Sequence, residues 1–97
     1  MPAYVIAVVT DAWDQDKLIE YRERNTAVVA AHGGRFIARG GPHEVLEGEW
    51  NPLRFVIIEF PDMSAARAWH SSDAYAPLIE LRQSASKTDM AVVEGVD

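Results

Sequence analysis

The 97-residue sequence contains no cysteine. This absence excludes disulfide bonds, thiolate nucleophiles and cysteine-ligated metal sites, and it permits a reducing compartment. The three histidines, His32, His43 and His70, fall in separate segments without the HxxxH or HExxH spacing of a zinc site. For haem, a lone histidine would be the only axial ligand. We therefore predict no metal and no cofactor.

Basic residues are also scarce. The chain has 9 Lys and Arg against 15 Asp and Glu, a formal net charge of -6, and no basic run. This balance argues against nucleic acid and anionic lipid surfaces as partners. No apolar run approaches the roughly 20 residues of a membrane span, since the run that starts at Ala3 ends at Asp11. We expect a cytoplasmic protein with neither nucleic-acid nor membrane partners.

The length and composition fit one globular unit. Hydrophobic residues make up 48% of the chain, which is sufficient for a single buried core at this size. No linker or low-complexity tract divides the sequence. We predict a single domain over residues 1–97.

Strand-like stretches are rich in β-branched or apolar residues and are bounded by turn residues. They are Ala3–Val9, Arg35–Arg39, His43–Leu46, Leu53–Phe60 and Asp89–Glu94. We interpret His43–Leu46 as a short continuation of the second strand or a hairpin partner. The apolar density of Leu53–Phe60 predicts a position near the sheet centre.

Two helical regions separate the strands. The first begins after Asp14 or Asp16, either of which can cap it, and ends at Gly33–Gly34. Because these glycines follow a helix instead of preceding one, they indicate turn chemistry and not a phosphate cradle. The second region has two pieces, AARAWH capped by Ser64, and Ala74 to about Ser84.

The resulting order, βαββαβ, predicts an α+β, ferredoxin-like fold with an antiparallel sheet and both helical regions on one face. Phe55 and Ile57 alternate with Val56 and Ile58, so both faces of the sheet carry apolar residues. We therefore predict a homodimer that packs sheet against sheet. Trp50, in a loop, is predicted to be a dimer contact or a pocket lid.

Three segments carry a resemblance to a known family. They are YRERNTAVVAAHGGRFIARGGPHEVLEGEW, LRFVIIEFPDMSAARAWHSSDAYAPLIELRQSAS and AVVEG. Across nearly the whole chain the sequence resembles domain of unknown function family 1330. That resemblance implies a dimeric α+β barrel, a fold shared with small cofactor-free monooxygenases, muconolactone isomerases and chlorite-dismutase-like haem proteins. It brings no established reaction.

The first helix carries the candidate site. At about 100° per residue, Arg22, Asn25 and His32 all fall within about 40° of Leu18, on the apolar stripe. Tyr21 is expected to pack in the core with that stripe. A buried arginine requires a partner, a route to solvent or a cavity. Three polar residues on one apolar stripe therefore indicate either a polar network or a pocket between helix and sheet.

Glu59, at the parity of Phe55 and Ile57, is the predicted partner of Arg22, with Arg39 or Arg82 as alternative partners for this carboxylate. We predict His32 and Glu59 as catalytic residues, since a histidine can transfer protons near neutral pH.

The predicted substrate-binding residues are Arg22, Asn25, Arg39 and Tyr75, although the sequence favours core packing for Tyr75. One hypothesis is a cofactor-independent isomerase, lyase or monooxygenase that acts on a small anionic or aromatic metabolite. The alternative is a non-catalytic dimeric module that binds small molecules or has a structural role, in which the polar residues stabilise the fold.

Overall fold

The computed structural model describes all residues, 1–97. Seven elements follow one another along the chain: β1 (Ala3–Ala12), α1 (Gln15–Ala31), β2 (Arg35–Arg39), β3 (Arg54–Phe60), α2 (Met63–His70), α3 (Ala76–Gln83) and β4 (Ser86–Glu94). The strands form one sheet in the order β2-β3-β1-β4, and all three pairings are antiparallel. The predicted ferredoxin-like α+β fold is confirmed, with α2 and α3 as the two pieces of the second helical region.

The alternating side chains of β1 define the two faces of the sheet. Ala3, Val5, Ala7 and Val9 are at most 8% exposed and pack beneath the helices. The alternate residues point to the opposite side because successive side chains of a strand alternate. We call that side the open face. It includes Tyr4, Ile6, Val8, Phe55, Ile57, Glu59, Asp89, Ala91 and Val93.

The core lies between the helices and the inner face of the sheet. Its largest fully buried side chains are those of Trp69, Tyr75, Phe60, Leu78 and Val29. The turn after α1 allows this close packing: Gly33 has φ +76, and a Cβ at Gly34 would lie 2.6 Å from a ring carbon of Phe60. The predicted left-handed turn at the end of the first helix is therefore confirmed.

The N-cap of each early helix is an aspartate. Asp14, and not Asp16, accepts from the backbone of Lys17 at 3.1 Å. The predicted cap of α2 is wrong: Asp62 accepts from the backbone of Ala65 at 2.7 Å, and Ser64 lies inside the helix. The helix begins two residues earlier because Asp62 offers a carboxylate to the free N–H groups of the first turn.

Two strand boundaries also differ from the prediction. The segment His43–Leu46 forms no strand, since it has no partner, and the His43 Nε2 instead contacts the Pro52 carbonyl oxygen at 3.1 Å. Strand β4 begins at Ser86 instead of Asp89, because β1 continues beyond an irregularity between Val9 and Asp11 and pairs with it there. None of the helices has the length and hydrophobicity that a membrane crossing requires.

Candidate functional site

A pocket lies between α1, the end of α3 and the inner face of the sheet. Its volume is about 50 Å³, and it is open to solvent on one side. Ala7, Val9, Val56, Ile58 and Met90 supply an apolar floor from three strands. Since a water needs about 10 to 15 Å³ on this measure, the pocket has room for a few waters or a small polar group.

Four arginines line this pocket. They are Arg22 from α1, Arg39 at the end of β2, Arg54 at the start of β3 and Arg82 near the end of α3. No aspartate or glutamate is among the lining residues. We call these four residues the arginine cluster. In an acidic chain, the pocket therefore concentrates positive charge without a carboxylate to balance it.

Arg39 is held in place by neutral partners. Its Nη1 donates to the Thr26 hydroxyl at 3.0 Å and its Nη2 donates to the Arg22 carbonyl at 2.7 Å. The guanidinium carbon lies 3.8 Å from the centre of the Phe36 ring, a cation–π contact. Burial lowers the pKa of Arg39, and the charge of Arg22 lowers it further. These contacts orient Arg39 but leave its charge uncompensated.

Arg54 and Arg82 each have a buried Nε without a hydrogen-bond partner. Arg82 is only 7% exposed. Burial lowers the pKa of Arg54, as do the charges of Arg22 and Arg39. Gly40 makes room for Arg54, since a Cβ there would lie 2.6 Å from the Arg54 Nη2. A buried donor without an acceptor is unfavourable, so these two side chains are suited to an acceptor that enters the pocket.

A second set of polar side chains is internally paired. The Trp69 Nε1 donates to the Asn25 Oδ1 at 3.2 Å, and the Asn25 Nδ2 approaches the Tyr21 hydroxyl at 3.5 Å. The hydroxyls of Tyr21 and Tyr75 are 2.6 Å apart. Burial raises the pKa of Tyr21, and Tyr75 raises it further. We call Trp69, Asn25, Tyr21 and Tyr75 the tyrosine chain; it connects α1 with α2 and with the residue that caps α3.

The structure brings most of the predicted binding residues together. Arg22, Asn25 and Arg39 line the pocket, and Tyr75 lies behind it, one hydrogen bond away through Tyr21. Tyr75 is fully buried and belongs to the hydrophobic core, so its position combines core packing with a contact to a pocket residue.

The predicted pairing of Glu59 with Arg22 is wrong. Glu59 has the predicted parity, but that parity faces the open side, and the helices cover the Val56 and Ile58 side. Its Oε1 accepts from the Arg35 Nε at 2.8 Å, and this hydrogen bond lowers the pKa of Glu59. Neither Arg39 nor Arg82 contacts Glu59, since both lie on the inner side.

His32 is also outside the pocket. It is the C-cap of α1, and its Nδ1 contacts the Val28 carbonyl oxygen at 2.9 Å. It shares the stripe of Arg22, but ten residues along a helix correspond to about 15 Å. The structure thus does not bring His32 or Glu59 to the arginine cluster, and no three His, Asp or Glu side chains lie in a metal-holding group.

Arg54, Arg82 and Tyr21 are among the pocket residues that were not predicted as site residues. Arg54 shares the parity of Val56 and Ile58, which is the available sequence signal for an inner-face position. Arg82 was considered only as a partner for Glu59, and Tyr21 only as a core residue. No local pattern distinguishes a tyrosine that packs in a core from one that also faces a cavity.

A second, wider groove of about 390 Å³ lies between α2 and β4. Val5, Trp69 and Val92 contribute apolar surface, and Arg67 and His70 are its charged or titratable residues. It contains none of the buried unpaired polar atoms found in the first pocket. The chemical features of a binding site are therefore concentrated in the pocket with the arginine cluster.

The arrangement of strands and helices defines the structural class of this protein. A four-stranded antiparallel sheet with its helices on one face is a ferredoxin-like α+β protein. The chain belongs to the family described as Domain of unknown function (DUF1330), which it matches over residues 2–96. This confirms the resemblance inferred from the sequence. No curated protein matches the chain.

Solved structures support the same fold. A protein of unknown function from Rhodopseudomonas palustris has a TM-score of 0.79 and 17% identity, with 99% of this chain and 83% of that chain covered. A dimeric ferredoxin-like protein from Jannaschia sp. CCS1 has a TM-score of 0.76 and 13% identity, with 98% and 100% covered. A variant of SnoaB, a cofactor-independent oxygenase from Streptomyces nogalater, has a TM-score of 0.73 and 13% identity, with 99% and 94% covered.

Proposed function

We propose that this protein binds a small anionic metabolite in the pocket of the arginine cluster. One observation carries the proposal: four arginines line a single pocket without a carboxylate, and two of them have a buried Nε that lacks a partner. Charge-assisted hydrogen bonds from arginine to an oxyanion are among the stronger polar interactions in proteins. A bound anion would complete both the charge balance and the hydrogen bonding of the pocket.

The alternative, a purely structural network, accounts for the tyrosine chain but not for the arginines. Asn25 and Trp69 pair with each other, as a network that stabilises a fold requires. Buried ion pairs that serve stability contain both charges, because an isolated buried charge is strongly unfavourable. The three ion pairs of the structure, Lys17–Asp14, Arg24–Glu20 and Arg35–Glu59, all lie outside the pocket.

The size and setting of the pocket favour a small ligand over a polyanion. The arginines line a pocket with a volume of about 50 Å³. The chain as a whole carries a net charge of -6. A nucleic-acid backbone needs a basic surface that it can follow. The ligand we propose is a small carboxylate, enolate or phenolate whose anionic group enters this volume and whose remaining atoms lie toward the side of the pocket that is open to solvent.

We propose further that the pocket serves chemistry in which negative charge develops on an organic substrate. Guanidinium groups fixed before the reaction stabilise such charge in a site with little water. Isomerisation, lyase and cofactor-independent oxygenation reactions of enolisable or phenolic substrates pass through such anions. The similarity in fold to SnoaB, described as a cofactor-independent oxygenase, supports this class of chemistry.

Ligand binding can be tested by titration calorimetry with acetate, pyruvate, benzoate and 4-nitrophenolate at low ionic strength. We expect at least one of these anions to bind, and Arg82→Met and Arg54→Met to weaken it about tenfold or more, since each removes a hydrogen bond to a charged group. The matched control is Arg24→Met, because Arg24 lies on the outer side of α1 in a pair with Glu20. If no anion binds, or if the control loses as much affinity as the pocket variants, the proposal fails.

We also propose that two copies associate through the open face. The side chains of Ile6, Val8 and Ile57 form an apolar surface there, and Val93 is 50% exposed. Burying such a surface against its copy is favourable by about 25 cal/mol per Å². Similar folds described as dimeric, including the protein from Jannaschia, support this arrangement.

The loop before β3 extends the same surface. The rings of His43 and Trp50 each meet the Phe55 ring edge-on, at 5.2 and 5.1 Å between centroids. Trp50 is 51% exposed and lies by the open face, away from the pocket lining. Of its two predicted roles, this position supports the dimer contact.

Sedimentation velocity would test the dimer. We expect the wild-type protein to sediment as a dimer and Ile57→Lys as a monomer, because a charge at the centre of an apolar interface must be desolvated. Ile19→Lys is the control, since Ile19 is 44% exposed on the outer surface of α1. A monomeric wild type, or a dimer that survives Ile57→Lys, would contradict the arrangement.

A further inference from the structure

The direction of the hydrogen bonds in the tyrosine chain can be worked out from its two ends. At one end, the indole N–H of Trp69 can only donate, so the Asn25 amide must present its oxygen to Trp69. The amide nitrogen of Asn25 then faces Tyr21 and donates toward its hydroxyl oxygen. Asn25 is 2% exposed, so burial leaves it no solvent alternative.

At the other end, Tyr75 is fully buried, and its hydroxyl has one partner, Tyr21. If Tyr21 donated to Tyr75, the proton of Tyr75 would have no acceptor, which is unfavourable in a buried position. The favoured direction is therefore from Tyr75 to Tyr21. The Tyr21 oxygen then accepts from Tyr75 and is approached by two further donors, the Asn25 amide nitrogen at 3.5 Å and the Arg82 guanidinium.

This leaves the proton of Tyr21 without an acceptor in the protein. Tyr21 lines the pocket, and the guanidinium carbon of Arg82 lies 6.0 Å from the Tyr21 ring centre. With Tyr75 oriented in this way, the hydrogen-bonding neighbours of the Tyr21 hydroxyl, which are Tyr75, Asn25 and Arg82, are donors. We infer that Tyr21 donates a hydrogen bond into the pocket, to the anionic oxygen of an enolate or phenolate ligand bound beside Arg82.

The inference rests on the proposed function and narrows its ligand class. Tyr21 and Arg82 approach the pocket from α1 and α3, whereas the strand floor of Ala7, Val56 and Met90 is apolar. An enolate or phenolate has one anionic oxygen on an apolar skeleton, which matches this division.

Two properties of Tyr21 strengthen it as a donor. Burial raises its pKa, so the hydroxyl keeps its proton when it contacts an anion of lower basicity. The bonds that it accepts polarise its own O–H, because hydrogen bonds in a chain reinforce one another. Tyr21 is thus a ligand-binding residue, and Tyr75 and Asn25 are positioning residues that act through it.

The test uses 4-nitrophenol, whose ionised form absorbs visible light and whose neutral form does not. We expect the protein to bind the phenolate in preference to the phenol, so the bound probe ionises at lower pH than the free probe. Tyr21→Phe should reduce the preference for phenolate about tenfold, the effect of one hydrogen bond to a charged group. Tyr4→Phe, on the open face, is the matched control and should leave the preference unchanged.

Tyr75→Phe gives a second test that does not depend on the Tyr21 variant. With the inferred direction, this change removes a bond that Tyr21 accepts and weakens phenolate binding. With the reverse direction, it would release the Tyr21 proton toward the pocket and strengthen phenolate binding. Stronger binding to Tyr75→Phe would overturn the inference, as would unchanged phenolate preference in Tyr21→Phe.

The two proposals fail in different ways. If the wild type binds acetate or benzoate but does not prefer 4-nitrophenolate over 4-nitrophenol, the proposed anion pocket stands and the role of Tyr21 falls. If none of the anions binds, the proposed function itself fails. If Arg82→Met loses phenolate binding while Tyr21→Phe keeps it, the arginines alone select the ligand.

Discussion

Replacing Arg82 by methionine should make the protein more stable and poorer at binding anions. Arg82 is 7% exposed, its Nε has no partner, and no carboxylate lines the pocket. A buried donor without a partner costs about 1 to 3 kcal/mol, and more when it is charged. Methionine has a similar unbranched length without the charge. We therefore expect the free energy of unfolding to rise by about 1 to 3 kcal/mol.

The assay is urea and thermal unfolding in a buffer free of carboxylates and phosphate, at equal protein concentrations because association changes apparent stability. For a chain of this size, each kcal/mol corresponds to about 4 to 8 °C in Tm. A saturating anion should reverse the order of stability, since a ligand at about 100 times its Kd adds about 2.7 kcal/mol to the wild type and little to the variant.

The opposite result would refute the reasoning. If Arg82 were half of a buried ion pair, its removal would lower the free energy of unfolding by about 3 to 5 kcal/mol. Arg24→Met provides the scale for an exposed pair: losing the bond to Glu20 should cost about 0.3 to 0.5 kcal/mol. A loss with Arg82→Met well beyond that scale would show that the arginine cluster has partners and is structural.

Three further changes test other parts of the structure. Burial raises the pKa of Tyr21, so the folded state holds this proton more tightly than the unfolded state does. The resulting contribution to the free energy of unfolding is present below the ordinary pKa of 10.0 and is lost as the pH rises beyond it. In urea titrations across alkaline pH, the free energy of unfolding should therefore fall less steeply for Tyr21→Phe than for Tyr4→Phe. Gly34→Ala should lower the free energy of unfolding by about 1 to 3 kcal/mol in urea titrations, because the new Cβ would lie 2.6 Å from the Phe60 ring, and an unchanged value would show that the ring can move. Glu59→Gln should leave anion affinity unchanged by calorimetry, since Glu59 lies on the open face, and a clear loss would return it to the site.

Periodicity was sufficient to predict the fold but not all of its boundaries. The alternation in β1 and the glycines after α1 are strong local signals, and both correspond to the observed elements. The segment Ser86–Thr88 is polar and shows no strand pattern. It becomes strand only because β1 extends far enough to pair with it, and Ser86 and Thr88 then line the pocket. Tertiary pairing thus overrides local preference at a polar site.

The candidate site could be predicted only in part. Sequence patterns indicate which residues share a face of a helix or strand, but not how far apart they lie along it or which face the helices cover. A helical wheel placed His32 on the stripe of Arg22 but ignored the rise along the helix, which separates them by about 15 Å. Parity grouped Glu59 correctly with Phe55 and Ile57. Since Val56 and Ile58 are equally apolar, the sequence contained no signal for which of the two sets the helices cover.

The distribution of charge suggests how such a pocket selects its ligand. Of the 9 basic residues in the chain, four face one cavity, while all 15 acidic residues lie outside its lining. At physiological salt, charges farther apart than about 8 Å are largely screened. The acidic exterior therefore repels a small anion only weakly at long range, and recognition depends on contacts made inside the pocket. Such an arrangement favours small anions that can enter over polyanions that can only approach the surface.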